Sequence, residues 1–341
     1  PQITETRFLN QESLRDLIIA GAHRVIAHRE HLDRINVFPV PDKDTGTNLA
    51  MTMEAILDGL RQPLPSLAAV SSTVATSALT GAQGNSGVIF AQFFQGMREE
   101  ISDSVNLSMD RFAQAVRCAA TRAREALAHP REGTILTVIS DVAEHLILRA
   151  DKLPDFRALV DEGLTIARRS LEQTTDRLAE LKRAGVVDAG ALGFVHFLEG
   201  IRDFFHSETQ ASDNDYVTEA EMIDTPLPTP VHVSFRYCTE AVVWGANIDR
   251  KEVIERLSLL GDSVVVAGDH DEIHAHAHTN APAYVLEVLA EYGTIASQKI
   301  DDMLAGLDSH PLTTDPSERE GVALVTDSAC DLPMEFFTQE K

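Results

Sequence analysis

From residue 10 to about 206, apolar residues recur at three- and four-residue spacing, as in Leu14, Leu17, Ile18, Ala22, Val25 and Ile26. This period predicts eight amphipathic helices, over about 10–34, 45–61, 65–80, 84–101, 108–128, 133–148, 154–184 and 188–206. The breaks hold Gly, Pro or capping residues: Pro63-Leu64-Pro65, Gly81 to Gly84, Pro130 to Gly133 and Gly185 to Asp188. An all-α bundle over residues 1–206 is the expectation.

The pattern then changes. Residues 207–230, SETQASDNDYVTEAEMIDTPLPTP, are acidic and then proline-rich, which predicts a linker. Val231 to Trp244, Asp262 to Ala267, Glu272 to His278 and Thr294 to Ile300 read as extended, with helices over Lys251 to Leu260 and Ala281 to Tyr292. The order β-α-β-β-α-β over residues 231–306 predicts an α+β split-βαβ domain. A second linker, 307–319, leads to residues 320–341, where an apolar strand, a Thr-Asp-Ser turn and a helix start read as the opening of an α/β domain. Some twenty residues cannot fold as such a domain, so this end is expected to be trimmed or to dock on something else. The lack of Met before Pro1 also suggests trimming.

Composition narrows the function. The 341 residues are 44% hydrophobic and 24% charged, enough for a sizeable core and for two or three domains. No apolar run is long enough to span a bilayer, and no basic segment leads into an apolar signal region. Cys118, Cys238 and Cys330 are odd in number and far apart, which argues against a disulfide framework and for a reducing cytoplasm. A net charge of −24 repels nucleic acid and anionic membranes. A chain this acidic would need metal ions to handle a polyphosphate.

Candidate chemistry begins with NVFPVPDKDTGTN, Asn36 to Asn48. In extended backbone, residues two apart point the same way, so Asp42 and Asp44 can converge on one cation. Pro39 and Pro41 stiffen the approach, and paired carboxylates with phosphate oxygens and water suit Mg²⁺. Thr45, Gly46, Thr47 and Asn48 then open a helix with free N–H groups; the alternative is a plain turn with a helix cap. In GAQGNSGVIF, Gly84, Asn85, Ser86 and Gly87 lie where one helix ends and the next begins, either a phosphate cradle or an ordinary connector. No Walker or Gly-x-Gly-x-x-Gly motif is present, so nucleotide chemistry would need another scaffold. In DEIHAHAHTN, His274, His276 and His278 share one strand face. Two of them and Cys238 could hold Zn²⁺ with an open fourth position; a solvated histidine face is the alternative. Cys118, inside FAQAVRCAATRA, is expected in the core.

NVFPVPDKDTGTN, GAQGNSGVIFAQ, EGTILTVI and AGVVDAGALGF occur in that order across the helices. Together they resemble the L-type ATP-binding domain of dihydroxyacetone kinases, in the branch serving as the kinase component of bacterial fatty acid kinases. The resemblance implies an up-and-down barrel of eight antiparallel helices with ATP and Mg²⁺ at one end. It places Asp42 and Asp44 on Mg²⁺, with Thr45 to Asn48 and Gly84 to Gly87 around the phosphates and Thr134, Asp188 and Gly190 near the nucleoside. Two features depart from the family: Lys43 stands where Gly is usual between the aspartates, and the third carboxylate of the dihydroxyacetone enzymes has no clear equivalent, Asn36 or Asp33 being nearest.

RYCTEA and HAHTN resemble the middle domain of fatty acid kinase A-type proteins, with Cys238, His276 and His278 at its metal positions. ALVTDSACDLP resembles the start of a DegV-type fatty-acid-binding domain, which puts Ser328 near a lipid carboxylate. The implied function is ATP-dependent phosphorylation of a fatty acid carboxylate, with the lipid presented by a DegV-type carrier and a homodimer as a plausible assembly. Two other readings stay open: a small-polyol kinase component of the dihydroxyacetone type, and a non-catalytic nucleotide- or lipid-binding regulator.

Overall fold

The computed structural model describes residues 7–101, 105–206 and 234–303. A short strand, β1 (Phe8–Leu9), leads into ten helices: α1 (Gln11–Ala27), α2 (Arg29–Ile35), α3 (Thr45–Gly59), α4 (Leu67–Gly81), α5 (Gly84–Ile101), α6 (Met109–Glu125), α7 (Ile135–Arg149), α8 (Phe156–Arg177), α9 (Ala179–Ala184) and α10 (Ala189–His206). Strand β2 (Leu107–Ser108) precedes α6 and pairs with β1. Side chains of Asn10, Ser66, Ser108, Thr134 and Asp155 each accept a first-turn N–H, so five helix starts are written in local capping chemistry.

Two expected helices are interrupted. The first divides at His28, which leaves helical geometry, and the seventh at Leu178, whose backbone is extended. Neither break carries Gly or Pro, so periodicity alone runs through both.

Packing passes from α1 to α3, α4, α5, α6, α7, α8 and α10, and α10 returns to α1. Phe90, Phe93, Phe94, Phe194 and Phe197 meet inside it at tilted or edge-on ring distances of 5.5 to 6.5 Å. Helix α5 is buried without interruption from Gly87 to Met97, polar Gln92 and Gln95 included. Helix neighbours alone would leave one side of α5 open. A sheet covers it.

That sheet consists of β3 (Tyr237–Gly245), β4 (Gly261–Gly268), β5 (Glu272–Thr279) and β6 (Gly293–Asp302), in the antiparallel order β4-β5-β3-β6. Helices α11 (Arg250–Ser258) and α12 (Pro282–Ala290) complete the expected β-α-β-β-α-β order. Ala241, Val243, Val264, Val266, Ile273, Ala275 and Ala277 form one apolar core with Val253, Leu257, Val285 and Leu289 of these helices. The opposite face meets α4 and α5, so β5 is buried on both sides.

Hydrogen bonds across this contact give it a fixed register. Gln92 Oε1 accepts the Gly268 N–H at 2.7 Å, and Arg98 pairs with Asp269 at 3.0 Å. The chain leaving α6 borders β4, with Val266 N–H donating to Ala126 O at 2.8 Å and Ala128 N–H to Val264 O at 3.1 Å. An otherwise open strand edge is thereby covered. All described residues fall within one compact unit.

Cys118 departs from expectation: it is half-buried beside Glu99, and burial, then the Glu99 carboxylate, push its thiol up to about 11. The expected linkers, the DegV-like start and Ser328 lie outside the described residues. Among those described, no helix is long and apolar enough to cross a membrane.

Candidate functional site

Four helix starts meet at one end of the helical part. A Cβ on Gly84, at the start of α5, would lie 2.3 Å from Asn48 Nδ2 in the first turn of α3. One on Gly190 in α10 would lie 3.1 Å from Ser86 Oγ of α5 and 3.4 Å from Asp188 Oδ1. Asp188 Oδ1 also accepts the Ile135 N–H at the start of α7. The nucleotide-binding candidates, scattered over about 145 positions of sequence, therefore share one locality. Four helix dipoles direct positive ends towards it.

The aspartate loop borders this end. Asp44 stands at the N-cap of α3 but makes no side-chain cap bond, so its carboxylate is not spent on the helix. Asn36, buried to 3% exposure, donates through Nδ2 to Asp42 Oδ1 at 2.5 Å. Crowding by protein on its inner side, then the negative charge of Asp44, push the Asp42 carboxyl upward; its outer side is open to solvent. Two acids held together with no cationic side chain between them are a receptive site for a hard cation.

Lys43 adopts φ 59°, the left-handed region that favours glycine, and its side chain is exposed. This explains in backbone terms why Gly suits the position between two converging acids. Asp33 is engaged elsewhere: its two oxygens accept from Thr47 N and Thr47 Oγ1, each at 2.8 Å. Sequence reasoning left Asn36 and Asp33 as equal candidates beside the pair; Asn36 is the one that touches it.

The α5 turn corrects one expectation. The amides of Gly84 to Gly87 do not all face a ligand. Gly87 N–H bonds Gln83 O at 3.1 Å, and Gly84 N–H donates to Glu240 Oε1 of β3 at 2.6 Å. Among the described residues, the N–H groups of Asn85 and Ser86 have no backbone partner. Gly84 has φ +57°, the left-handed region that favours glycine.

Thr134 and Asp188 act as caps. Thr134 Oγ1 accepts Leu136 N–H at 3.4 Å, and Asp188 Oδ1 accepts Ile135 N–H at 3.1 Å and Ala191 N–H at 2.8 Å. One carboxylate therefore closes both α7 and α10. Burial pushes it up to about 6 despite these two donors.

The histidine face lies against this end and is not solvated. His274, His276 and His278 are 3%, 2% and 5% exposed. His274 Nδ1 donates to Leu79 O at 2.9 Å, near the end of α4. Donor atoms of Cys238, His276 and His278 lie within 4.8 Å of one another, with Cys238 Sγ 3.6 Å from His276 Nδ1. Burial, then the neighbouring His276, hold His278 down at about 3, so it is neutral. Burial alone would lower His276 too, but Cys238 and Glu240 hold it well above the usual histidine range. The sulfur and nitrogen set suits borderline-soft Zn²⁺.

Glu240 is the residue that sequence reasoning missed. It is 3% exposed, and Oε1 lies 2.8 Å from His276 Nδ1 while accepting the Gly84 N–H. Burial would raise its carboxyl, yet His274 and His276 hold it far below the usual range. A signal existed: in YCTE, Glu240 is two residues past Cys238 and must share its strand face.

Several buried polar atoms of these residues have no hydrogen-bond partner among the described residues: Asn36 Oδ1, Gln83 Oε1, Asn85 Oδ1, Glu240 Oε2, His274 Nε2 and His276 Nε2. Native interiors seldom leave such groups unpaired, so each marks a place where a ligand, ion or water can supply the partner.

Comparison with known proteins gives two family matches. Residues 39–203 match a DAK2 domain, and residues 234–309 match the FakA-like middle domain of fatty acid kinases. An uncharacterized protein of Staphylococcus saprophyticus is 32% identical over 301 residues, covering 84% of this chain and 54% of its own length. One of Staphylococcus aureus USA300 is 32% identical over 305 residues, covering 86% of this chain and 56% of its own. The chain thus spans about half the length of these relatives. Among solved structures, the dihydroxyacetone kinase of C. freundii in complex with AMP-PNP and Mg²⁺ aligns with a TM-score of 0.46 at 14% identity, over 60% of this chain and 36% of that one.

Proposed function

We propose that this chain, which joins a DAK2 domain to a FakA-like middle domain, is the ATP-dependent component of a kinase that phosphorylates a carboxylate, with a fatty acid as acceptor. The products are an acyl phosphate and ADP. One observation carries the reading: a pair of adjacent carboxylates, four helix starts and several buried polar atoms without hydrogen-bond partners lie at one end. The helices are then an up-and-down antiparallel barrel, and this is its open end.

In this reading Asp42 and Asp44 hold Mg²⁺, with Asn36 orienting Asp42. Bound Mg²⁺ would offset the charge of the triphosphate, as phosphoryl transfer requires. The free amides of Asn85 and Ser86 donate to phosphate oxygens, and Gly190 keeps the adjacent space open beside Ser86. Asn48 faces the turn from the first turn of α3, while Gly46 packs on Arg29 O and both Thr47 donors are taken by Asp33. Thr134 and Asp188 fix the starts of α7 and α10 on the nucleoside side. An acceptor carboxylate is already ionised at neutral pH, so neither a protein nucleophile nor a strong base is needed.

Cys238, His276 and His278 would hold Zn²⁺, which supplies positive charge and cross-links β3 to β5. The lipid would be presented by a DegV-type carrier domain. The fatty-acid reading is favoured over a small-polyol kinase by the middle domain, which lies directly on the phosphate turn.

The test is ADP release from Mg-ATP by the 341-residue chain mixed with an oleate-loaded DegV-type carrier. ADP that depends on oleate and not on dihydroxyacetone is expected. Nucleotide binding with no oleate-dependent ADP would replace this reading with a binding role.

A further inference from the structure

Residues 156 positions apart share one oxygen in the interior: Glu240 Oε1 accepts the Gly84 N–H at 2.6 Å and lies 2.8 Å from His276 Nδ1. A carboxylate only accepts, so Nδ1 is the protonated nitrogen of that bond, and His276 Nε2 is left buried without a partner. On the other side, Gly84 sits at φ +57° with Asn48 so near that no side chain fits. The turn therefore depends on an outside acceptor to satisfy its first amide. Glu240 is that acceptor; its other oxygen, Oε2, faces His274 Nε2 at 3.8 Å, beyond hydrogen-bond distance, and His274 is tied to Leu79 O.

We propose that Glu240 is a positioning residue coupling the Cys238–His276–His278 centre to the phosphate turn at Gly84, so that a divalent cation at the centre and a nucleotide at the turn bind cooperatively. The proposal rests on the phosphate-binding reading of that turn. A cation on the centre fixes the His276 ring, the ring fixes Glu240, and Glu240 holds the Gly84 amide inward. Asn85 and Ser86, next along the helix, are then presented with their N–H groups outward. An unfilled centre leaves the ring and the carboxylate looser, and nucleotide binding has to order them. By linkage, nucleotide must tighten the cation by the same factor.

The experiment measures the Kd of Mg·AMP-PNP by calorimetry on the 341-residue chain, stripped of metal by chelation and again after loading with one equivalent of Zn²⁺. Loading is expected to tighten binding at least about fivefold, within the usual range of coupling between sites. In Glu240→Leu, which offers no acceptor to the Gly84 N–H or to His276 Nδ1, the two values are expected to fall within about twofold of each other, with Mg·AMP-PNP still bound. Unmodified chain whose nucleotide affinity ignores Zn²⁺ would overturn the coupling and leave the kinase reading standing. No Mg·AMP-PNP binding in any form would instead remove the kinase reading. Undiminished coupling in Glu240→Leu would overturn the role of Glu240.

A second measurement avoids the variant. Zn²⁺ loading should slow hydrogen exchange at the Gly84 amide more than at amides of α8, and equal effects at both would refute the proposal.

Discussion

Replacing Asp188 separates its capping role from its charge. Its Oδ1 accepts the Ile135 and Ala191 N–H groups, closing α7 and α10 together. Asp188→Ala removes both caps and leaves buried donors unpaired, a loss of about 2 to 4 kcal/mol if each end follows ordinary capping energetics. Asp188→Asn keeps an acceptor at Oδ1 and removes only the charge. The native carboxyl is raised by burial from 3.8 to about 6, so protonation favours the folded state, and stability from this group is present at low pH and lost as pH rises through about 6. The whole effect is about 3 kcal/mol. Between pH 5 and pH 8 about 1.4 kcal/mol of it is visible, because the unfolded carboxyl is already ionised at pH 5. Urea unfolding across that range should show Asp188→Asn gaining about 1.4 kcal/mol on the parent chain as pH rises, with Mg-nucleotide affinity held within about twofold. If Asp188→Asn loses as much stability as Asp188→Ala at both pH values, Oδ1 is not the shared cap.

Lys43→Gly should be more stable than Lys43→Ala by about 1 kcal/mol in the same unfolding assay, since only Gly adopts φ 59° without strain; equal stabilities would remove the backbone explanation for Lys43. Metal analysis of the purified chain should find about one tightly held Zn²⁺, falling to near zero in Cys238→Ser. Full retention of metal in that variant would exclude the Cys238–His276–His278 centre.

Much of this architecture was legible because it is local. Helical period, capping residues and the order of strands follow from neighbours along the chain, and Asn10, Ser66, Ser108 and Asp155 cap where a sequence reader would place them. The divisions at His28 and Leu178 were not, because neither residue forbids a helix and tertiary packing decides. The histidine face shows the same limit from another side. Alternation put His274, His276 and His278 together, but only the docking of the sheet on α4 and α5 makes that face an interior. The Gly84 amide looked free because its acceptor, Glu240, arrives from 156 residues away. Long-range partners carry no mark in the sequence near the group they satisfy.

The most direct test of the account is Mg²⁺-dependent binding of AMP-PNP to the chain and to Asp42→Ala and Asp44→Ala, with folding checked by circular dichroism. The account predicts that each folded variant loses most of the Mg²⁺-dependent affinity. Full affinity in both would show that the acids at the mouth of this acidic protein do not hold the cation that brings the triphosphate in.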